Sequence, residues 1–145
     1  MRKNIALYRQ TWKDCGHPGE GDVVVMLHTY ISDRPDLEDV VRPAMLEYLA
    51  SFQTQQGQSY SPSELNILLD EGFRNYYRGP VSLLGTRAKA RSVLTTLAQM
   101  GVNEVGCLVD FGLSADLVLS GVGEIVTLTN EIAPASNTLH RKTVS

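Results

Sequence analysis

The stretch from Gly85 to Gly112, GTRAKARSVLTTLAQMGVNEVGCLVDFG, constrains this chain most, because it spells one complete step from helix to strand. Thr86 has the side chain to cap a helix, and Ala90, Val93, Leu94, Leu97 and Met100 then recur at the spacing that makes one apolar face. Gly101 follows at the place where a helix ends on a left-handed residue, and Val102 can close the apolar contact that goes with such an end. Val105, Gly106, Cys107, Leu108 and Val109 show no polar alternation, which predicts a strand covered on both faces, as in parallel sheets flanked by helices. Asp110, Phe111 and Gly112 then fall at its carboxyl end, where open α/β sheets and barrels place their chemistry.

The same grammar runs through the rest of the chain. Ile5, Tyr8 and Trp12 share a helical face that ends in the turn Cys15-Gly16-His17-Pro18-Gly19. Residues 22–31, DVVVMLHTYI, predict a second buried strand with His28 and Thr29 toward its end. A helix capped by Ser32 or Asp33, with Pro35 in its first turn, takes its apolar face from Leu37, Val40, Val41, Met45, Leu49 and Phe52, and Pro43 should kink or split it. Residues 53–59, QTQQGQS, read as a mobile loop. Ser61-Pro62-Ser63-Glu64 is a capping box opening a helix with Leu65, Leu68, Leu69, Phe73 and Tyr76 on one side. A short strand over 81–84 precedes Gly85, and a last helix capped by Ser114 turns Leu117, Val118, Val122, Ile125 and Val126 inward. The expected order is helix, strand, helix, helix, short strand, helix, strand, helix, with no internal repeat in residue identities.

Length and composition narrow the classes. At 145 residues the chain can bury one core but cannot close an eight-fold α/β barrel, which needs roughly 250 residues. An apolar share of 43% and a charged share of 20% exclude wholesale disorder. A net charge of −3 with scattered Lys and Arg argues against a nucleic-acid surface. The two cysteines, Cys15 and Cys107, have no partner at metal-ligand spacing and read as reduced thiols, with Cys107 inert in a dry core. The first residues lack a signal peptide's apolar core and no segment reaches the length of a membrane span, so a soluble cytoplasmic protein is expected, with residues 135–145 as a polar tail.

Two longer stretches carry a resemblance. RKNIALYRQTWKDCGHPGEGDVVVMLHTYI, with HPGEG followed by VMLHT, and LLGTRAKARSVLTTLAQMGVNEVGCLVDFGLSADLVL, with GVNEVGCLVDFG followed by a capped helix, resemble the C-terminal part of the luciferase-like flavin monooxygenases found beside or inside modular natural-product synthases. The resemblance implies an α/β fold that is a partial TIM-type (β/α) barrel, its C-terminal half, with parallel strands alternating with helices over residues 1–134. It implies reduced FMN held at the carboxyl ends of the strands, activating oxygen to oxidise an organic substrate. The early strands that line the isoalloxazine and help hold the phosphate do not occur in this chain, so it is not expected to be an active monooxygenase alone. Its bare edges should be covered by a complementing N-terminal barrel half or by a second copy, or removed by rearrangement into a compact α/β fold. The chain departs from the family pattern at Arg87, where a proline usually follows Gly-Thr, and at Gly121 and Gly123, each of which lowers helix propensity by about 1 kcal/mol.

The candidate cofactor-binding residues are His28, Gly85, Thr86, Asp110, Gly112 and Ser114. His28, at a strand exit, can reach a flavin or substrate, or be a core histidine. Asp110 can orient a ligand, or help to cap the next helix or pair with a cation. Gly85-Thr86 and Gly112-Leu113-Ser114 run into helix amino termini, which favour phosphate, although as motifs they are weak and capping alone more often explains them. His17 sits in a turn remote from the strand ends, and Tyr76-Tyr77-Arg78 can stack on a ring, although aromatic residues at helical spacing are more often core. No catalytic triad, carboxylate pair or metal set can be assembled from spacing. A second reading is a non-catalytic half-barrel module that dimerises and has no flavin chemistry, and a third is a small α/β protein that takes a phosphorylated ligand at these two loops.

Overall fold

A computed structural model describes residues 1–55 and 60–132. The order of elements is the expected one: α1 (Arg2–Asp14), β1 (Val24–Ile31), α2 (Leu37–Gln55), α3 (Pro62–Arg78), β2 (Leu83–Gly85), α4 (Arg87–Met100), β3 (Glu104–Leu108) and α5 (Ala115–Ile132). Residues 53–55 of the expected loop continue α2 instead, and its residues 56–59 and the whole 135–145 tail lie outside the described residues.

The helix ends follow the local chemistry read above. Ser61 and Glu64 form the reciprocal capping box of α3, with Pro62 in its first turn. Thr86 Oγ1 accepts from Lys89 N at 3.3 Å to cap α4, and Gly101 ends that helix in the left-handed region at φ 91°. Pro43 does not split α2, which continues through it as one helix. Nor does Asp33 cap α2; its Oδ1 accepts instead from Arg87 N at 3.1 Å, at the start of α4.

The three strands are parallel, with β1 in the middle and β2 and β3 on either side. This is α/β with strands alternating with helices, but the order is not that of a barrel segment, where successive strands are neighbours and β2 would lie between β1 and β3. The two connections leave in opposite directions. If both keep the usual right hand, their helices must cover opposite faces of the sheet. The core divides accordingly along the alternation of β1. Leu27 and Ile31 pack with Leu83, Ala90, Val93, Leu97 and Leu128 on the α4 side, while Tyr30 packs with Leu84, Leu37, Val41, Met45, Phe73 and Phe111 on the α2 and α3 side. Helix α5 touches both clusters, through Leu117 on one and Ile125 and Leu128 on the other.

Two expectations about burial need correction. The inward face of α5 is Leu117, Gly121, Ile125 and Leu128, whereas Val122 and Val126 are exposed. Gly121 is there for room, since a Cβ at this position would stand 2.8 Å from the Tyr30 ring. The strands, moreover, are not covered throughout. Val24 and Met26 are 54% and 70% exposed, and Cys107 is exposed rather than enclosed. The cause is that β3 pairs only with β1, and that among the described residues α2 and α3 cover only the carboxyl half of their face.

Candidate functional site

His28 projects from β1 opposite Leu108 of β3, on the face covered by α2 and α3. Three rings meet its imidazole edge to face: Tyr48 of α2 at 4.8 Å, Tyr76 of α3 at 5.1 Å and Phe111, just past β3, at 5.9 Å between centroids. Its Nε2 is buried and has no hydrogen-bond partner among the described residues. Desolvation lowers its pKa below the ordinary 6.5, so the ring is held neutral at physiological pH. A neutral imidazole with one unpaired nitrogen can give or take a single hydrogen bond from whatever reaches it.

Phe111 accounts for the path of the chain after β3. It is 2% exposed and lies in the same cluster as Tyr30 and Phe73, so it anchors the exit loop beside His28. Gly112 then turns with φ 98°, packed against Ala44 of α2, and a side chain there would be strained. Asp110 and Ser114 are exposed on either side of that anchor, and the Ser114 carbonyl accepts from Val118 N at 2.9 Å in the first turn of α5. The structure thus brings His28, Asp110, Gly112 and Ser114 to the carboxyl ends of β1 and β3, where the strand order reverses. Open parallel sheets form their ligand crevices at such a place.

Gly85 and Thr86 stand at the other edge, after β2, and internal groups already meet them. Ser32 N donates to Gly85 O at 3.1 Å, and the Asp33 carboxylate takes the Arg87 N–H at the helix start. The Arg87 side chain donates to Glu124 at 2.6 Å and to Glu131 at 3.4 Å, tying α4 to α5. Gly85, at φ 150°, leaves space for the Lys89 side chain, whose Cδ would lie 2.7 Å from a Cβ. Lys89 Nζ donates to the carbonyls of Leu84 at 2.7 Å, Tyr76 at 3.3 Å and Tyr77, so it joins the end of α3 to β2. Burial draws its pKa down to about 8, against three carbonyl oxygens that favour the charged form.

These contacts decide how FMN would fit. Asp33 occupies the α4 amino terminus with a negative charge that would meet a phosphate, and three rings already pack edge to face against His28 where an isoalloxazine would stack. The described residues do not by themselves make an FMN site. Sequence reasoning had found His28 but not its surround. Tyr76 lies on a helical face that suits core as well as ring stacking, Tyr48 is not on the apolar face read for α2, and nothing in the spacing announces Lys89 or the reach of Asp33 across the sheet. His17 lies against Trp12, with centroids 4.5 Å apart, in the turn after α1. Among the described residues no group of His, Cys, Asp or Glu could hold a metal, and no helix is long and apolar enough to cross a membrane. No known protein family matches this chain, and no curated protein matches it either.

Proposed function

We propose that this chain is the C-terminal portion of an FMN-dependent luciferase-like monooxygenase, a partial TIM-type barrel that does no oxygen chemistry alone. The reading joins the sequence resemblance to one structural observation, the unfinished sheet. Met26 is 70% exposed, Val24 is 54% exposed, and β3 offers an outer edge that no described residue pairs with. An open strand edge beside bare apolar side chains is a surface built for further pairing. The complement is an N-terminal barrel half, or a second copy of this chain, within a natural-product synthase system of the reducing cytoplasm; both cysteines are free.

The strand order gives this reading a concrete requirement. To take its place in a barrel, β3 would have to leave β1 and pair beyond β2; on this reading the order β2-β1-β3 is what the chain adopts before it is complemented. In the complemented barrel His28, Asp110, Gly112 and Ser114 would face the flavin or substrate. Gly85 and Thr86 would reach its phosphate only after Asp33 is displaced. Co-expression with the N-terminal half of a luciferase-like monooxygenase should give a complex that co-purifies and carries FMN, and Met26→Asp should weaken that association. Failure to co-purify, with both pieces folded, would remove the reading.

A second reading rests on the same exposed strip. If the chain is instead a non-catalytic oligomerisation module, it pairs with itself, remains colourless with any barrel half supplied, and is made monomeric by Met26→Asp. Phosphate-ligand binding at the Gly85 loop is disfavoured by the Asp33 carboxylate seated there.

A further inference from the structure

Between α4, α5 and the sheet the molecule keeps a cavity of about 260 Å³ that shares no lining residue with the His28 cluster. Its deep wall is core, made by Ile31, Leu83, Leu97 and Leu128, none more than 5% exposed. Its outer wall includes Ala98 of α4 and Cys107 of β3, both reachable from solvent. The space stays open because β3 pairs on one side only, and no described strand lies beside it.

The lining sets the chemistry of an occupant. Among the described residues no Lys, Arg or His lines the cavity, and the nearby Arg9 guanidinium is already engaged by Asn103 Oδ1 and Gly101 O, so an anion gains no dedicated counter-charge. Glu104 contributes backbone there, since strand alternation turns its side chain to the face of its register partner Val24. The polar groups that remain are neutral. They are the Asn103 amide, whose Oδ1 already accepts from Val23 N at 3.0 Å and from Arg9 at 3.3 Å so that its amide N–H groups are what remains, and the Thr129 hydroxyl, which already donates to Ile125 O at 2.8 Å and keeps its acceptor capacity. Volume sets the size. A dry cavity of about 150 Å³ can hold benzene, and ordinary ligand pockets start near about 300 Å³. At about 260 Å³ a substituted ring or a short chain fits, and a flavin or a folded peptide segment does not.

We infer that this cavity is a binding site for a small neutral molecule with an apolar body and one hydroxyl or carbonyl group. The site shares no residue with the candidate cofactor set, and it belongs to the uncomplemented chain, in which β3 lies beside β1.

The free thiol in its wall provides the readout. The full chain is alkylated with iodoacetamide, and the rates at Cys107 and Cys15 are resolved by peptide mass spectrometry. Benzyl alcohol is the probe and benzoate the charged control. At a benzyl alcohol concentration about ten times its dissociation constant, mass action slows Cys107 about ten-fold. Cys15, exposed in the turn after α1, keeps its rate, and benzoate protects neither. Ala98→Phe, placed on an exposed helical position, should slow Cys107 without ligand and abolish the response to benzyl alcohol. The inference fails if Cys107 reacts at an unchanged rate up to the concentration where circular dichroism begins to change. It also fails if benzoate protects as well as the alcohol, or if the alcohol slows both cysteines alike.

Discussion

Two glycines of α5, only two residues apart and so on opposite sides of the helix, separate propensity from packing at the level of the single residue. By propensity alone, alanine at either Gly121 or Gly123 should stabilise α5 by about 1 kcal/mol. Gly123 faces open space, and Gly123→Ala should deliver that gain in a urea melt. Gly121 touches the Tyr30 ring, where an added Cβ would stand 2.8 Å away, so Gly121→Ala should instead destabilise, by about 1–3 kcal/mol. His28 carries the second residue-level expectation. Its folded pKa lies below the ordinary 6.5, so the unfolded chain takes up the proton first as pH falls. Stability is complete above 6.5 and is lost progressively below it. Urea midpoints from about pH 7.5 to about pH 5 should fall more steeply in the native chain than in His28→Phe. Equal slopes would mean that the imidazole is not desolvated. Neither effect was legible from the sequence, where Gly121 looked like a lapse in a helix and His28 had no visible neighbours. Both depend on which side chain lies across the sheet, and spacing along one element does not encode that.

Elements were more readable than the contacts between them. The capping box at Ser61, the Thr86 cap and the Gly101 stop are local chemistry, and each appears where the residues put it. The burial of β3 did not follow, because an unbroken apolar run says that a strand suits a dry sheet but not that both its edges are filled. Asp33 shows the same limit: its side chain could serve the helix after it or one across the sheet, and the tertiary partner, Arg87 N, won. Lys89 makes the joint between α3 and β2 testable. Its three carbonyl acceptors lose their donor in Lys89→Met, which should cost about 1–3 kcal/mol in a chemical melt. Hydrogen exchange should then rise first at the end of α3 and in β2. A variant as stable as the native chain would show that the lysine adds nothing beyond what water supplies.

At the scale of the whole molecule, the strand order is the feature that sequence order could not give. Sequential parallel strands joined by helices suit both a barrel and an open sheet, and the choice rests on which neighbour is present to pair with β1. In this chain β3 takes that place, helices cover both faces, and Val24 and Met26 with the outer edge of β3 remain bare. Self-association through that strip should make the apparent mass depend on protein concentration, and Met26→Asp should reduce it toward the 16.0 kDa of one chain. The proposal that the chain is the C-terminal portion of a barrel, unable to hold FMN alone, is decided by size-exclusion chromatography with light scattering, run after incubation with excess FMN and with flavin absorbance followed across the peak. A colourless peak heavier than one chain is expected. A monomeric peak carrying stoichiometric flavin would contradict it, and would mean that the loops after β1 and β3 hold FMN without help.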